Sequence, residues 1–203
     1  ETDKIVLDEA GHEKVIEHYD YTFKTKQTID ALLVFWHRVF PNTQTLARIS
    51  YHQYKLTSGW AFMNHKTIKS KEDDDELIIN FDYSHDRDNH IALTRQVQST
   101  SGDGTLETKF LYSADKPSLP NTPTSVFDGM VAKNILYAQV KVEQFRSANL
   151  IGGRITNYKQ DAGNFVPASE EILEGSSYQV RLTYNTYDAR GNLLQFSKSN
   201  DIP

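Results

Sequence analysis

The chain is 203 residues long, carries a formal net charge of −5 and has no cysteine, which allows one large domain or two small ones at roughly 100 to 200 residues per domain. Without cysteine there are no disulfides, no thiol catalysis and no cysteine-bound metal, and the lack of a basic block argues against a surface that tracks nucleic-acid phosphates. The longest apolar run, Ala31 to Trp36, is far shorter than the ~20 residues of a membrane-spanning helix, and Glu1-Thr-Asp-Lys4 does not read as a signal peptide, so an export signal is expected to have been removed or never to have existed.

In chain order, Val15, Glu17, Tyr19, Tyr21 and Phe23 alternate as a half-buried strand does, with the bulky side chains that fill a pleat. Residues 28–40 can be read two ways. Ile29, Leu32, Leu33, Trp36 and Phe40 recur at roughly helical spacing, while Val34-Phe35-Trp36 suits a buried strand. Residues 49–56 read as a strand, and the same alternation follows at Leu77–Tyr83, at Ile91, Leu93 and Val97, and at Leu106–Tyr112. Pro117, Pro120 and Pro123 make residues 114–125 an extended crossing loop, because each proline lacks a donor and restricts the residue before it. A short helix is expected from Ser125 to Asn134, with Ser125 as N-cap, Asp128 as a weaker capping partner, and Phe127, Met130 and Val131 on one face. Strands follow at Leu136–Val142 and Tyr178–Tyr184.

Between these lie turns that pair a backbone-binding Asp with a Gly able to take positive φ: Asp8-Glu-Ala-Gly11, Ser101-Gly-Asp-Gly104, Asp161-Ala-Gly-Asn164 and Asp188-Ala-Arg-Gly-Asn192.

Few side chains suggest chemistry. Ser84-His85-Asp86-Arg87-Asp88-Asn89-His90 offers oxygens and two imidazoles, yet counting from Asp86 the Gly and distal Glu of a calcium loop are replaced by Ile91 and Val97. It is expected to be a polar hairpin loop that binds neither calcium nor zinc. Glu72-Asp-Asp-Asp-Glu76 reads as a solvated charge run. The seven histidines, at 12, 18, 37, 52, 65, 85 and 90, sit in no recognisable catalytic spacing and are expected in surface or inter-strand positions. Ser197 and Ser199 lack a nucleophile elbow, and Gly152-Gly153 lacks the Lys of a phosphate loop. No catalytic, cofactor-binding or metal-binding residue is therefore expected. Tyr51, Tyr54 and Trp60 are candidate ligand-facing aromatics for a sugar or a protein, the alternative being that they face the core.

The segment Tyr184-Asn-Thr-Tyr187-Asp188-Ala-Arg-Gly191-Asn192-Leu193 resembles the YD repeat of the bacterial Rhs family. Weaker likeness extends through Thr108–Tyr112, Met130–Asn134 and Thr156–Lys159, so that the resemblance covers roughly residues 74 to 199, with Tyr51, Tyr54 and Ser58-Gly-Trp60 as slight support upstream. The resemblance implies β-hairpins stacked edge to edge, a scaffold rather than a catalyst, and a fragment or compact relative of a longer secreted or cell-surface protein. Tyr187, Asp188, Gly191 and Asn192 are its structural turn.

Together these readings give a mainly β fold, a single unit over residues 1–203 in which roughly ten antiparallel strands form an extended, curved sheet with one short helix. The expected function is a non-enzymatic structural or interaction module whose partner is a protein or a cell-surface glycan, with no nucleic acid, cofactor or membrane span. A carbohydrate-binding module using the exposed aromatics is the alternative, and a hydrolase with a cryptic site comes after it.

Overall fold

The computed structural model describes residues 2–39, 46–72, 75–100 and 104–199. They form one open antiparallel sheet of eleven strands and a single short helix, one strand more than the pattern suggests. The strands are β1 (Thr2–Leu7), β2 (Glu13–Val39), β3 (Leu46–Glu72), β4 (Asp75–Ser84), β5 (Arg95–Thr100), β6 (Leu106–Tyr112), β7 (Gln139–Arg146), β8 (Asn149–Asp161), β9 (Asn164–Glu174), β10 (Ser177–Tyr187) and β11 (Leu193–Lys198); the helix is α1 (Thr124–Ala132). Spatial order equals sequence order, as expected of a chain that alternates strand and tight turn. By packing, the chain divides into two compact units, Glu1–Asp20 with Met63–Pro203, and Tyr21–Phe62.

In the larger unit the core lies where α1 meets the sheet. Phe127 and Met130 bury against Val140, flanked by Leu119, Ile135, Ala138, Tyr158 and Phe165. Val131, the third residue of the expected apolar face, is half-buried. Gly129 allows the close approach: a Cβ there would stand 2.3 Å from Cζ of Phe165. The expected cap is corrected. Pro123, extended at φ −60°, occupies the N-cap position with no side-chain bond, and Ser125 lies inside the first turn; the Pro123 carbonyl, rather than a side chain, accepts the Val126 amide at 3.0 Å. Asp128 pairs instead with Lys116 Nζ at 2.6 Å. The helix ends at Ala132, two residues before the expected Asn134, with Lys133 as C-cap and Asn134 beyond it at φ +60°, the left-handed conformation that follows helix ends.

Other boundaries differ too. Ile91 to Thr94 precede β5 rather than belonging to it, and β7 begins at Gln139. The 114–125 segment is not simply extended: a 3-10 turn at Ser113–Asp115 opens it, and Leu119 and Thr122 form an isolated bridge. The Ser101–Gly104 turn falls mostly outside the described residues, although β5 and β6, which it joins, pair antiparallel. Of the acidic run, Glu72 pairs with Asp75 and Glu76 with Lys71 at the end of the β3–β4 ladder, while residues 73 and 74 lie outside the described residues.

The smaller unit is a two-stranded ribbon made from β2 and β3. Residues 28–39 are strand, which settles the ambiguous segment except for Phe40, outside the described residues. Ile29, Leu32, Leu33, Val34 and Phe35 are all exposed. A two-stranded ribbon has no second layer to bury them, so the helical spacing there reflects no buried face. Gly59 admits a close crossing, since a Cβ on it would lie 2.3 Å from the Lys24 carbonyl oxygen and 2.6 Å from Phe23 Cζ.

Candidate functional site

The turn singled out in sequence is tightly built. Asp188 Oδ1 accepts the amides of Arg190 and Asn192, each at 2.8 Å, and Oδ2 accepts the Asn192 side-chain amide at 2.8 Å. The Asn192 side chain foremost, then the surrounding amides, hold the Asp188 carboxyl below its usual range. Gly191 has φ +85° and its amide donates to the Asp188 carbonyl at 3.0 Å. Tyr187 donates to the Pro167 carbonyl at 2.7 Å, and Asn164 Nδ2 donates to the Ala189 carbonyl at 3.1 Å, docking the turn onto the β8–β9 hairpin. A Cβ on Gly191 would meet only ordinary contacts, the nearest 3.6 Å away at Val166, so conformation rather than space demands glycine. Gly191→Val is therefore expected to destabilise by about 1 kcal/mol or more through backbone strain. Urea denaturation measures it, and an unchanged midpoint would refute the assignment.

The sequence groups this turn with the one at Asp8–Gly11, and the two share their hydrogen bonds. At Asp8, Oδ1 accepts the amides of Ala10 and His12, each at 2.9 Å, the Gly11 amide donates to the Asp8 carbonyl at 3.0 Å, and Gly11 has φ +84°. The amide of His12 is the main cause that lowers the Asp8 pKa. Register matches as well: Leu7 faces Glu13 and Tyr187 faces Leu193, each followed by a bulge after which Val6 faces Val15 and Thr186 faces Gln195. The Asp-x-x-Gly spacing carries the likeness in sequence, with Leu7 standing where Tyr187 does; the matched register is what the structure adds.

The candidate aromatics do not converge. Tyr51 and Tyr54 are 69% and 40% exposed, so they do not face a core, and three positions apart on β3 they project to opposite sides. Trp60 is half-buried with Lys26 Nζ 5.1 Å from its ring centroid, which covers one ring face.

The 84–94 loop joins paired strands β4 and β5, and its polar groups are engaged within the protein. Asp86 Oδ1 accepts the Thr94 hydroxyl at 2.6 Å, chiefly lowering the Asp86 pKa, and His85 Nδ1 lies 3.0 Å from the Ile91 carbonyl. The His90 side chain is fully buried, a correction to the surface role expected of histidines. Its Nδ1 accepts the Ala92 amide at 3.2 Å, so Nε2 carries the proton that faces Asp115 Oδ1 at 3.1 Å. Asp115 also accepts the Tyr112 amide at 2.9 Å and lies 3.3 Å from Arg87 Nε. With both nitrogens committed and no exposure, His90 is a latch between loop and 3-10 turn, with no free lone pair to act as a base. Among the described residues no group of three or more His, Asp or Glu side chains is placed to hold a metal ion, and no helix is long and apolar enough to cross a membrane.

A second polar cluster was invisible in sequence. Thr122 donates to Asn157 Oδ1 at 3.1 Å, Asn157 Nδ2 donates to Ser169 Oγ at 3.0 Å and to Glu171 Oε1 at 2.5 Å, and Asn121 adds a bond to the same Oε1 at 2.8 Å. The β8–β9 register shifts at Asn157/Tyr158, and the Tyr158 amide donates to Thr122 Oγ1 at 3.1 Å; a bulge leaves a ladder group for such a partner. Nearby, Tyr178 reaches Glu143 Oε1 at 3.2 Å and Tyr184 reaches Glu170 Oε1 at 2.8 Å. Burial first, then the adjacent carboxylates, push both phenols up to about 12. On β6, β7 and β8 an open cleft of about 480 Å³ is lined by Thr108, Phe110, Gln139, Val142, Gln144 and Arg154.

Compared with protein-family models the chain matches none, and compared with curated proteins it matches none.

Proposed function

We propose that this chain is a non-enzymatic structural or interaction module of an exported or cell-surface protein assembled from YD-type hairpins, with the sheet as scaffold and the connecting loops as the surface that meets a partner. The observation that supports it is the paired use of one Asp-x-x-Gly turn at Asp8–His12 and Asp188–Asn192, with the same hydrogen bonds and the same following bulge. A scaffold that grows by hairpins requires a connection that works in more than one setting. This one is local, since each Asp satisfies the amides of its own loop. The exposure of Tyr51 and Tyr54 favours a second reading, a carbohydrate-binding module, because amphipathic rings on a surface suit sugar stacking.

Two measurements test the first reading. The flanking coding sequence is expected to contain further Tyr-Asp-x-x-Gly turns, and the tagged full-length protein is expected to be degraded when intact cells are treated with protease. Flanks without such turns would remove the repeat reading, and protection that ends only on lysis would remove the surface assignment.

A further inference from the structure

We propose that the cleft over β6, β7 and β8 binds an acidic oligosaccharide, with Arg154 engaging a sugar carboxylate. The proposal stands apart from the repeat reading and from the aromatics of β3. Cross-strand register builds the cleft. Phe110, Val142 and Arg154 form one row across three strands, and Thr108, Gln144 and Gly152 form the next, so the six share a face. Phe110 and Val142 supply an apolar floor. Gly152 leaves room that Gln144 takes up, its Oε1 lying 3.1 Å from where a Cβ would stand. Thr108, Gln139 and Gln144 contribute a hydroxyl and two amides around the floor.

Arg154 gives the cleft its charge preference. Its Nη2 donates to Gln139 Oε1 at 2.8 Å, which orients the guanidinium, while among the described residues no carboxylate forms a salt bridge with it. A preoriented, exposed guanidinium without an acid favours a ligand carboxylate, which it can meet with two parallel hydrogen bonds.

The form of the cleft selects the ligand class. A peptide binding to a sheet usually gains its main-chain hydrogen bonds at an edge strand, but β6, β7 and β8 are interior strands, each paired on both sides. Recognition here rests on side chains alone. Flat apolar groups beside hydroxyl, amide and guanidinium groups suit a sugar ring, which has a C–H face and a rim of hydroxyls. An open site suits several linked rings better than one small enclosed metabolite.

The test uses the whole chain and short oligogalacturonate, with a neutral galactan oligosaccharide of equal length and a glutamate-rich peptide as controls. Calorimetry is expected to show saturable binding of the acidic sugar that is weakened about tenfold or more by Arg154→Gln, at an unchanged thermal midpoint, with the neutral sugar and the peptide at least about tenfold weaker. Amide shifts on the unmodified protein, which need no variant, are expected to concentrate at Thr108, Phe110, Val142 and Arg154. Absence of saturable binding, equal affinity in Arg154→Gln, equal binding of the peptide, or shifts centred elsewhere would each overturn the site. Neither flanking repeats nor surface exposure bears on these outcomes, so the two proposals fail separately.

Discussion

Phe127→Ala is expected to lower the unfolding free energy by about 3 to 5 kcal/mol, the usual cost of emptying a fully buried aromatic position. Phe127 has no exposed surface and is the largest fully buried side chain of the cluster that fixes α1 to the sheet. A single-layer sheet has little other covered apolar area to compensate: only Val97, Ala114, Phe127, Met130, Val140, Ile155 and Val166 are buried apolar residues among those described. Phe127→Leu, which keeps most of the volume, is expected to cost less than about 1.5 kcal/mol. Guanidinium denaturation followed by far-ultraviolet circular dichroism measures both; a loss under about 1 kcal/mol for the alanine variant would mean that α1 is not the anchor.

Asn157→Leu is expected to cost about 3 kcal/mol, for a different reason. Asn157 is 1% exposed and supplies one of the two side-chain amides that meet the buried Glu171 carboxylate. Removing it leaves a charged acceptor short of a donor and the Thr122 hydroxyl without its acceptor, a loss that burial makes larger than the net value of a surface hydrogen bond. In a double-mutant cycle with Glu171→Gln the two effects are expected to be strongly non-additive, because the second change removes the charge that the first one strands. Additive effects would show that the two side chains act independently.

Why some of this is legible in sequence and some is not follows from distance along the chain. The turns at Asp8 and Asp188 could be read because Asp and Gly satisfy the loop within five residues, and the short helix because Phe127 and Met130 lie within one turn of each other. The β7–β8 turn escaped notice because Ser147 and Ala148, at φ +46° and +69°, adopt the left-handed conformation without a glycine. The Thr122–Asn157–Glu171 cluster escaped because its members are distant in sequence and meet only through a bulge, which no local pattern encodes. His90 escaped for the same reason, its carboxylate partner lying 25 positions away. Exposure on the β2–β3 ribbon is a property of what is missing beneath it, and alternation of residue types cannot report that.

The matching of spatial to sequential strand order bears on how such a chain forms and diversifies. Strands that pair with their immediate predecessor close short loops, so the sheet can zip hairpin by hairpin, and ordering entropy is met in small steps. A duplicated or deleted hairpin leaves every other strand beside its old neighbour, and such lengthening is expected to be tolerated along most of the sheet. The stretch from β6 to β9 is the exception: there Asn121, Thr122 and α1, which precede β7 in the chain, hold side chains of β8 and β9, and a hairpin inserted between them would separate partners that must meet. Variation in length should therefore accumulate toward β1 and β11 and spare that stretch.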